Sequence, residues 1–448
     1  MLASCRGAAQ GHRLRPPAFP HYRRPIIRRV RPAVAALLAC GAAFVLSCSA
    51  PSAEPASIWT DAPALALAAE LFNGSQDRYS VEVRWEADLA KAIRAAKRPP
   101  SVAVGRYLKG SSVRARFRPL DYLFERARVN RESFYEGILA LGEAEGRQAL
   151  IPLSFNLPAI VFAKGAAPAG DEFTISLEEM SGPSSAFATR GKPGASRMGF
   201  SPRWDPDFLV LAIGSGGAAF KQGKGGLAWS DDGLARAIDE VRLWTARVDG
   251  SATAADDYQF KYLYAPAYQY LREGRALYAY MGSSHIFLVP EDKREALDFR
   301  WFASGGLVPV SEDIVYVALA RGGAGREAAE AFVAWLFREE SQEAVLELSK
   351  RTRAMESHFG IAGGFSSMRS VNEKAFAKYY PSLLGHMPPA DSLAPPAAVP
   401  EDWPALEAEV LGPWLLDTTA SRGPAEDSGA ELAARLADYR KKGSAAGR

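Results

Sequence analysis

Cysteine and histidine are scarce in this chain. Among its 448 residues there are only three cysteines, at positions 5, 40 and 48, and five histidines. Neither a His-Glu-x-x-His nor a Cys-x-x-Cys motif is present, so nothing indicates a zinc site built on histidine or thiolate ligands. We therefore expect neither a metal nor a cofactor.

Motifs of nucleophilic and nucleotide chemistry are also missing. No Gly-x-Ser-x-Gly sequence occurs, and the run Gly214–Ala219 matches Gly-x-Gly-x-x-Ala without a helix-forming sequence after it. That pattern binds dinucleotides only where it joins a strand to a helix, so we interpret the run as a loop. We predict no catalytic residues and no enzyme. A glycosidase pair stays compatible with the sequence, because its two carboxylates can lie far apart in the chain.

The apolar run near the amino terminus is too short to cross a membrane. Residues 33–47 form an uncharged run of 15 residues, whereas a membrane-spanning helix needs about 20. Eight arginines and no acidic residue precede this run. A basic segment followed by a short apolar segment is the layout of a secretory signal peptide.

Cys48 adds a second property to this signal. Val45-Leu46-Ser47-Cys48 resembles a bacterial lipobox, in which signal peptidase II cleaves before a cysteine that carries a diacylglyceryl group. We predict a signal peptide over residues 1–47, lipidation of Cys48 and a small, polar tether over residues 48–56. The protein is then extracytoplasmic and lipid-anchored to a bacterial membrane. A lipobox ending at Cys40 is a weaker alternative, because apolar residues would follow the lipid, and an ordinary soluble signal peptide is another.

Cleavage would reverse the sign of the net charge. The whole chain has 54 basic and 51 acidic residues, a net charge of +3. The predicted signal peptide holds eight of the basic residues and no acidic residue, which leaves 46 against 51, or −5. We expect no nucleic-acid partner, because the basic excess lies in the segment that is removed.

Downstream of the tether, predicted strands and helices alternate. Ile58–Thr60, Tyr79–Trp85 and Ser101–Gly105 have the pattern of strands, and the segments between them have the pattern of helices. This order is typical of a parallel sheet with helices on its faces. Further along, Glu327–Leu348 predicts one long amphipathic helix.

Five sequence elements, taken in order, resemble the extracellular solute-binding proteins of family 1, the maltose-binding type. The resemblance covers roughly residues 57–445. The elements are Ile58-Trp59-Thr60-Asp61, Pro100-Ser101-Val102-Ala103-Val104, Gly146–Ser154 followed by Ile160–Lys164, Arg272–Leu277 with Met281-Gly282-Ser283, and Glu327–Gln342. Ser101 departs from the aspartate that is usual in this family.

The resemblance implies an α/β, two-lobed periplasmic-binding-protein fold of type II, with an interlobe cleft and a hinge. On this basis we assign residues 57–153 and 283–340 to lobe 1, and residues 154–282 and 341–445 to lobe 2. The implied function is that of a substrate-binding lipoprotein of an ABC transporter. The protein would act as a monomer. It would capture a small-molecule solute, above all a sugar or oligosaccharide, and deliver it to an ABC permease in the inner membrane. A lipid-anchored glycan hydrolase and an adhesin or sensor with the same fold are the alternatives.

The resemblance also implies candidate ligand-binding residues at strand ends and crossings. Sugar C–H faces stack on aromatic rings, while sugar hydroxyls pair with polar side chains. The candidates are Trp59, Asp61, Arg106, Ser154, Asn156, Trp204, Ser283 and Trp301. Most of the nine tryptophans are nevertheless expected in the core.

A tyrosine cluster between Tyr258 and Tyr280 admits two interpretations. Phenolates could bind ferric iron, or the rings could pack on helix faces. We favour packing, because no histidine or carboxylate constellation completes a metal site.

Overall fold

The computed structural model describes residues 53–166, 173–188, 197–387 and 389–446, with side chains as far as residue 442. The predicted signal peptide, Cys48 and the first part of the tether lie outside the described residues. The strands of the described part, numbered in chain order, are β1 Ala56–Thr60, β2 Val81–Trp85, β3 Val102–Gly105, β4 Glu143–Ala144, β5 Arg147–Gln148, β6 Ile151–Phe155, β7 Pro158–Ala163, β8 Thr174–Ile175, β9 Lys221–Gly223, β10 Gly226–Ala228, β11 Ala279–Gly282, β12 Leu297–Phe302, β13 Val308–Pro309, β14 Val315–Leu319, β15 Phe365–Ser366 and β16 Leu393–Ala394.

Helices connect and cover these strands. Their bounds in the described part are α1 Leu65–Gly74, α2 Leu89–Ala95, α3 Ser111–Arg114, α4 Asp121–Glu125, α5 Glu136–Ala140, α6 Leu177–Phe187, α7 Pro206–Ile213, α8 Asp231–Trp244, α9 Ala252–Lys261, α10 Ala267–Arg272, α11 Ser283–Ile286, α12 Glu291–Arg294, α13 Arg326–Leu336, α14 Glu339–Arg351, α15 Arg369–Val371, α16 Ala377–Tyr379, α17 Trp403–Leu406, α18 Gly412–Ala420 and α19 Ser428–Ala446. Single π turns extend several helices, among them Gly214–Ala218 after α7 and Glu407–Leu411 between α17 and α18.

Two separate sheets define two lobes. Six strands form the first sheet in the order β15-β6-β14-β3-β1-β2, and four form the second in the order β11-β7-β12-β8. In the first sheet β1 pairs in parallel with β2 and β3, as the alternating pattern predicts, and β14 runs antiparallel to β3 and β6. The chain crosses between the sheets after β6 and returns before β14. The predicted two-lobed α/β fold is confirmed.

Two strands belong to a different lobe from the one predicted for them. β12 falls in the segment 283–340 assigned to lobe 1, but it pairs with β7 in the second sheet. β15 falls in the segment 341–445 assigned to lobe 2, but it pairs with β6 in the first sheet. Each boundary therefore shifts toward the carboxyl terminus, because backbone pairing over a long sequence separation decides which sheet a strand joins.

The long helix predicted over Glu327–Leu348 is broken into α13 and α14. Phe337 and Arg338 leave the helical conformation between them. The Phe337 side chain is buried and its ring centroid lies 5.5 Å from that of Phe134, and the buried amide of Gln342 donates to the Leu336 carbonyl. Tertiary packing thus supports a turn that the apolar periodicity does not reveal.

The three largest clusters of buried apolar side chains in the described part hold the lobes. The largest surrounds the first sheet and reaches one face of the second sheet at Phe299 and Trp301. A second cluster joins α7 and α8 to the carboxyl-terminal helices α17–α19. A third covers the other face of the second sheet, where Phe162 and Phe302 lie.

The glycine run Gly214–Ala219 follows α7 and leads into β9. It joins a helix to a strand, which is the reverse of the order in a dinucleotide-binding loop. The sequence predicts a loop here, but the backbone continues α7 as a π turn over Gly214–Ala218.

Candidate functional site

A cavity of about 200 Å³ lies where the chain crosses between the two sheets. Its walls come from both lobes: the end of β3, the crossing after β6, the first turns of α7, the end of β11, the loop before β14 and the carboxyl-terminal helices. The residues that line it are Tyr107, Asn156, Asp207, Val210, Leu211, Tyr280, Gly282, Ser284, His285, Ser311, Glu312, Asp313, Trp403 and Glu407.

One side of this cavity is a closed hydrogen-bond network, which we call the hinge network: Asn156, Ser283 and Asp313. The Asn156 amide donates to an Asp313 carboxylate oxygen at 2.9 Å and to the Gly363 carbonyl at 3.1 Å. The Ser283 hydroxyl donates to the Asn156 amide oxygen at 2.7 Å and accepts the Leu157 N–H at 3.1 Å. Both crossings between the lobes are therefore tied to each other and to the end of β11.

Gly363 can offer its carbonyl because of its backbone conformation. Its φ is +91°, a region that residues with a Cβ rarely adopt. The neighbouring Gly364 lies against the Phe155 backbone, where an added Cβ would approach the carbonyl oxygen to 2.5 Å. The turn can thus pack closely on the end of β6, directly before Asn156.

An ion pair lies beside the hinge network. The Arg106 N–H donates to the Asp61 carboxylate at 3.1 Å, and the Arg106 guanidinium is 3.9 Å from the same oxygen. The second Asp61 oxygen is buried and has no hydrogen-bond partner. Burial raises the pKa of Asp61, and Arg106 partly opposes that rise.

Tyr107 enters the cavity from a strained backbone. Its φ is +55°, which is uncommon for a bulky residue that is not glycine. Such outliers cost on the order of 1–3 kcal/mol and cluster at functional sites. Burial raises the pKa of the Tyr107 hydroxyl, with further contributions from Asp313 and Glu407. The phenol is therefore neutral at physiological pH.

Three further carboxylates line the cavity, and we call them the acidic wall: Asp207, Glu312 and Glu407. Burial raises the pKa of Glu407 to about 8, and repulsion from Glu312 and Asp207 adds to the rise. Burial also raises the pKa of Glu312 to about 7, with Asp313 contributing. Glu312 and Glu407 therefore resist ionisation, because each loses hydration and faces like charge.

The acidic wall is positioned by local features of the sequence. Asp205 caps α7 by accepting the N–H groups of Asp207 and Phe208 at 3.0 Å each, and Pro206 follows the cap. This cap and proline are the usual start of a helix. Glu407 lies four residues after Trp403, one helical turn further along the same face.

The predicted site residues divide into two groups. Asn156 lines the cavity, and Ser283 holds it in place. Asp61 and Arg106 form the adjacent pair, and the buried Ser154 hydroxyl points to the Ala362 carbonyl at 3.5 Å, on the turn that precedes Gly363.

The three predicted tryptophans do not line the cavity. Trp301 is fully buried and donates to the His386 carbonyl, so it belongs to the core. Trp204 stacks on Tyr258 with ring centroids 4.9 Å apart, inside lobe 2. Trp59 lies beneath the Arg84 guanidinium, which is 4.6 Å from its ring.

Other aromatic side chains line the cavity. These are Tyr107, Tyr280 and Trp403. Tyr107 was adjacent to a candidate, and its position after β3 was a usable signal. Trp403 lies in a proline-rich stretch, and only the helical spacing from Trp403 to Glu407 could have indicated a shared face.

Other features of the described part lie away from this cavity. A larger open groove of about 840 Å³ runs along Phe72, Tyr79 and Trp335 within lobe 1 and does not reach the crossings. In the tyrosine cluster, the rings of Tyr258 and Tyr262 pack 4.8 Å apart. No group of three or more His, Cys, Asp or Glu side chains in the described residues is arranged to hold a metal ion.

No family model and no curated protein matches the chain, but solved structures match it over most of its length. The sugar-binding protein MalE from Xanthomonas citri is 12% identical, with a TM-score of 0.61 over 87% of this chain and 99% of that protein. The maltose/maltodextrin-binding domain MalE from Bdellovibrio bacteriovorus, bound to maltotriose, is 14% identical, with a TM-score of 0.55 over 86% of this chain and all of that one. An extracellular solute-binding protein of family 1 from Alicyclobacillus acidocaldarius is 11% identical, with a TM-score of 0.55 over 84% of this chain and 96% of its own.

These similarities confirm that the fold is the two-lobed, maltose-binding type. The low identities carry no ligand assignment to this chain. Within the described ranges, no helix has both the length and the apolar character needed to cross a membrane.

Proposed function

We propose that this chain is the substrate-binding lipoprotein of an ABC importer, which captures a sugar or oligosaccharide outside the cytoplasm and delivers it to a membrane permease. The observation that carries the proposal is the cavity at the two crossings, because both lobes line it. A solute that contacts both walls favours the closed arrangement of the lobes, by its differential affinity for that arrangement. A permease would recognise that arrangement.

The lining suits a small hydroxylated solute. Ser284 and Ser311 supply hydroxyl groups, Asn156 supplies an amide, and Tyr107 and Tyr280 supply flat rings. Hydroxyls of a sugar both donate and accept, and its C–H faces pack on aromatic rings. The solved structure of the Bdellovibrio neighbour, which contains maltotriose, illustrates this use of the fold in another protein.

A thermal-shift screen of the mature chain against a panel of mono- and oligosaccharides tests the function. A ligand at 100 times its dissociation constant stabilises the folded state by about 2.7 kcal/mol, and the shift grows with the logarithm of concentration. We expect one class of saccharide to behave in this way without being consumed. Cleavage of a glycan with no saturable stabilisation would contradict the proposal and favour the hydrolase.

Cys48 is the proposed attachment point of the lipid anchor. Cys48→Ala removes the thiol that the diacylglyceryl group needs, so the variant should be found as soluble or unprocessed protein. Cell fractionation and intact mass of the mature chain measure this, with Cys40→Ala as the matched control. A Cys48→Ala variant that stays mature and membrane-bound would move the anchor to another residue.

A further inference from the structure

We propose that the solute bound in this cavity is a saccharide that carries a protonated amine. The inference rests on the proposed function, since it names the ligand class of the same cavity. Four carboxylates belong to the lining: Asp207, Glu312, Asp313 and Glu407. Neither lysine nor arginine is among the residues that line it.

The carboxylates converge from three elements. Asp207 comes from α7, Glu312 and Asp313 precede β14, and Glu407 begins the π turn after α17. They act on one another electrostatically, since Glu312 and Asp207 both raise the pKa of Glu407. Like charges brought together in a half-buried cavity cost free energy unless a cation neutralises them. Arg106 pairs with Asp61 at the side of the cavity, and both Arg106 and His285 favour the ionised form of Asp313. No positively charged group of the described part is among the main influences on the pKa of Glu312 or Glu407.

One polar atom at the cavity has no hydrogen-bond partner. One oxygen of Asp313 receives the Asn156 amide, while its other oxygen is buried and unpartnered. The Trp403 side chain is 1% exposed, and its indole N–H lies close enough to Glu407 to lower the pKa of that carboxyl. Buried oxygens are rarely left unsatisfied in a folded protein, so the Asp313 oxygen indicates a place for a donor group of the ligand.

The remaining lining identifies the rest of the ligand. Ser284, His285 and Ser311 offer partners for hydroxyl groups, and the rings of Tyr107 and Tyr280 offer stacking faces. Aromatic faces also attract cations. A bare amine would leave the hydroxyl partners unused, and a neutral sugar would offer the carboxyl groups no positive charge to pair with. The volume of about 200 Å³ is below the range of about 300–1,000 Å³ for drug-sized ligands, which indicates one or two sugar rings.

Isothermal titration calorimetry on the mature chain at pH 7 tests the inference. The probes are glucosamine and its β-1,4-linked dimer, the corresponding glucose and N-acetylglucosamine compounds, and spermidine. We expect the amino sugars to bind at least about tenfold more tightly than their neutral counterparts, a difference of about 1.4 kcal/mol. Binding of the cation should also release protons to the buffer, because it favours ionised Glu312 and Glu407.

A matched pair of variants separates the cavity from general charge. Glu407→Gln removes a carboxylate of the acidic wall, whereas Glu409→Gln removes an exposed carboxylate two residues away. The first should weaken binding of the amino sugar about tenfold, or about 1.4 kcal/mol, and abolish part of the proton release, while the second should change neither.

The outcomes distinguish this inference from the proposed function. Neutral sugars that bind as tightly as amino sugars would overturn the inference and leave the proposed function standing. Spermidine bound in preference to every saccharide would overturn both, as would a failure of all probes and of the saccharide panel to stabilise the protein. Equal effects of Glu407→Gln and Glu409→Gln would place the amine outside the cavity and also overturn the inference.

Discussion

The hinge network and the acidic wall line one cavity, but different interactions dominate in each. Asn156 and Ser283 use nearly all of their hydrogen-bonding capacity within the protein. Glu312 and Glu407 have raised pKa values, because burial and like charge oppose their ionisation. The hydrogen bonds of the hinge network hold structure, whereas the acidic wall would be stabilised by a partner of opposite charge.

The largest expected effect on stability comes from breaking the hinge network. Ser283→Ala leaves the Asn156 amide oxygen and the Leu157 N–H without their partner in a fully buried position. We expect the free energy of unfolding to fall by about 2 kcal/mol, measured by urea denaturation.

Ser284→Ala is the matched control for that prediction. Ser284 is the next residue, lines the cavity and is only half-buried. Its substitution should change the free energy of unfolding by less than about 0.5 kcal/mol. Equal losses in the two variants would show that the hinge network does not stabilise the crossings.

A smaller effect on stability, dependent on pH, is expected from the acidic wall. Glu407 has a pKa of about 8 in the folded protein against an ordinary value of 4.5. Between these values the folded protein binds more protons than the unfolded chain, so the free energy of unfolding falls as pH rises from about 5 to 8. A single titrating group changes the free energy of unfolding by at most about 1.4 kcal/mol per pH unit. The charged or titratable neighbours are Asp205, Asp207, Glu312 and Tyr107, with His285 in the same cavity.

Glu407→Gln should make this decline shallower, because the amide does not titrate. Thermal unfolding of the unliganded protein from pH 5 to pH 8 measures the decline, and Glu409→Gln should follow the parent protein. A Glu407→Gln profile that matches the parent at every pH would mean that the wall is not a region of repelling buried carboxyls.

The sequence predicted residues of the hinge network and of the ion pair beside it, but none of the acidic wall. Asp61, Arg106, Asn156 and Ser283 follow strands or crossings that short patterns reveal, and the structure places all four at or beside the cavity. The three candidate tryptophans lie away from this cavity, and an aromatic ring has the same sequence signature in a core as in a binding site. Trp301 shows this clearly, since it is fully buried between the two lobes' cores.

The sequence did not predict the acidic wall, and the reason is a different one. Glu312 precedes a buried strand, Asp207 opens a helix and Glu407 sits in a carboxyl-terminal turn, and each has an ordinary local role. Only the crossing of the chain between two sheets brings them to one cavity. The misplaced lobe boundaries have the same origin, because β12 and β15 were assigned by position in the chain rather than by pairing.

The amino-acid sequence by itself determined the alternation of strands and helices and predicted an export signal over residues 1–47, before Cys48. These depend on local periodicity and short motifs, which neighbouring residues specify, whereas the two-lobed architecture was implied by the resemblance to the maltose-binding type. The tertiary structure alone decided which strands share a sheet, which tryptophans are core and which carboxylates meet. Those outcomes depend on contacts between distant segments, and no single stretch of the chain specifies such contacts.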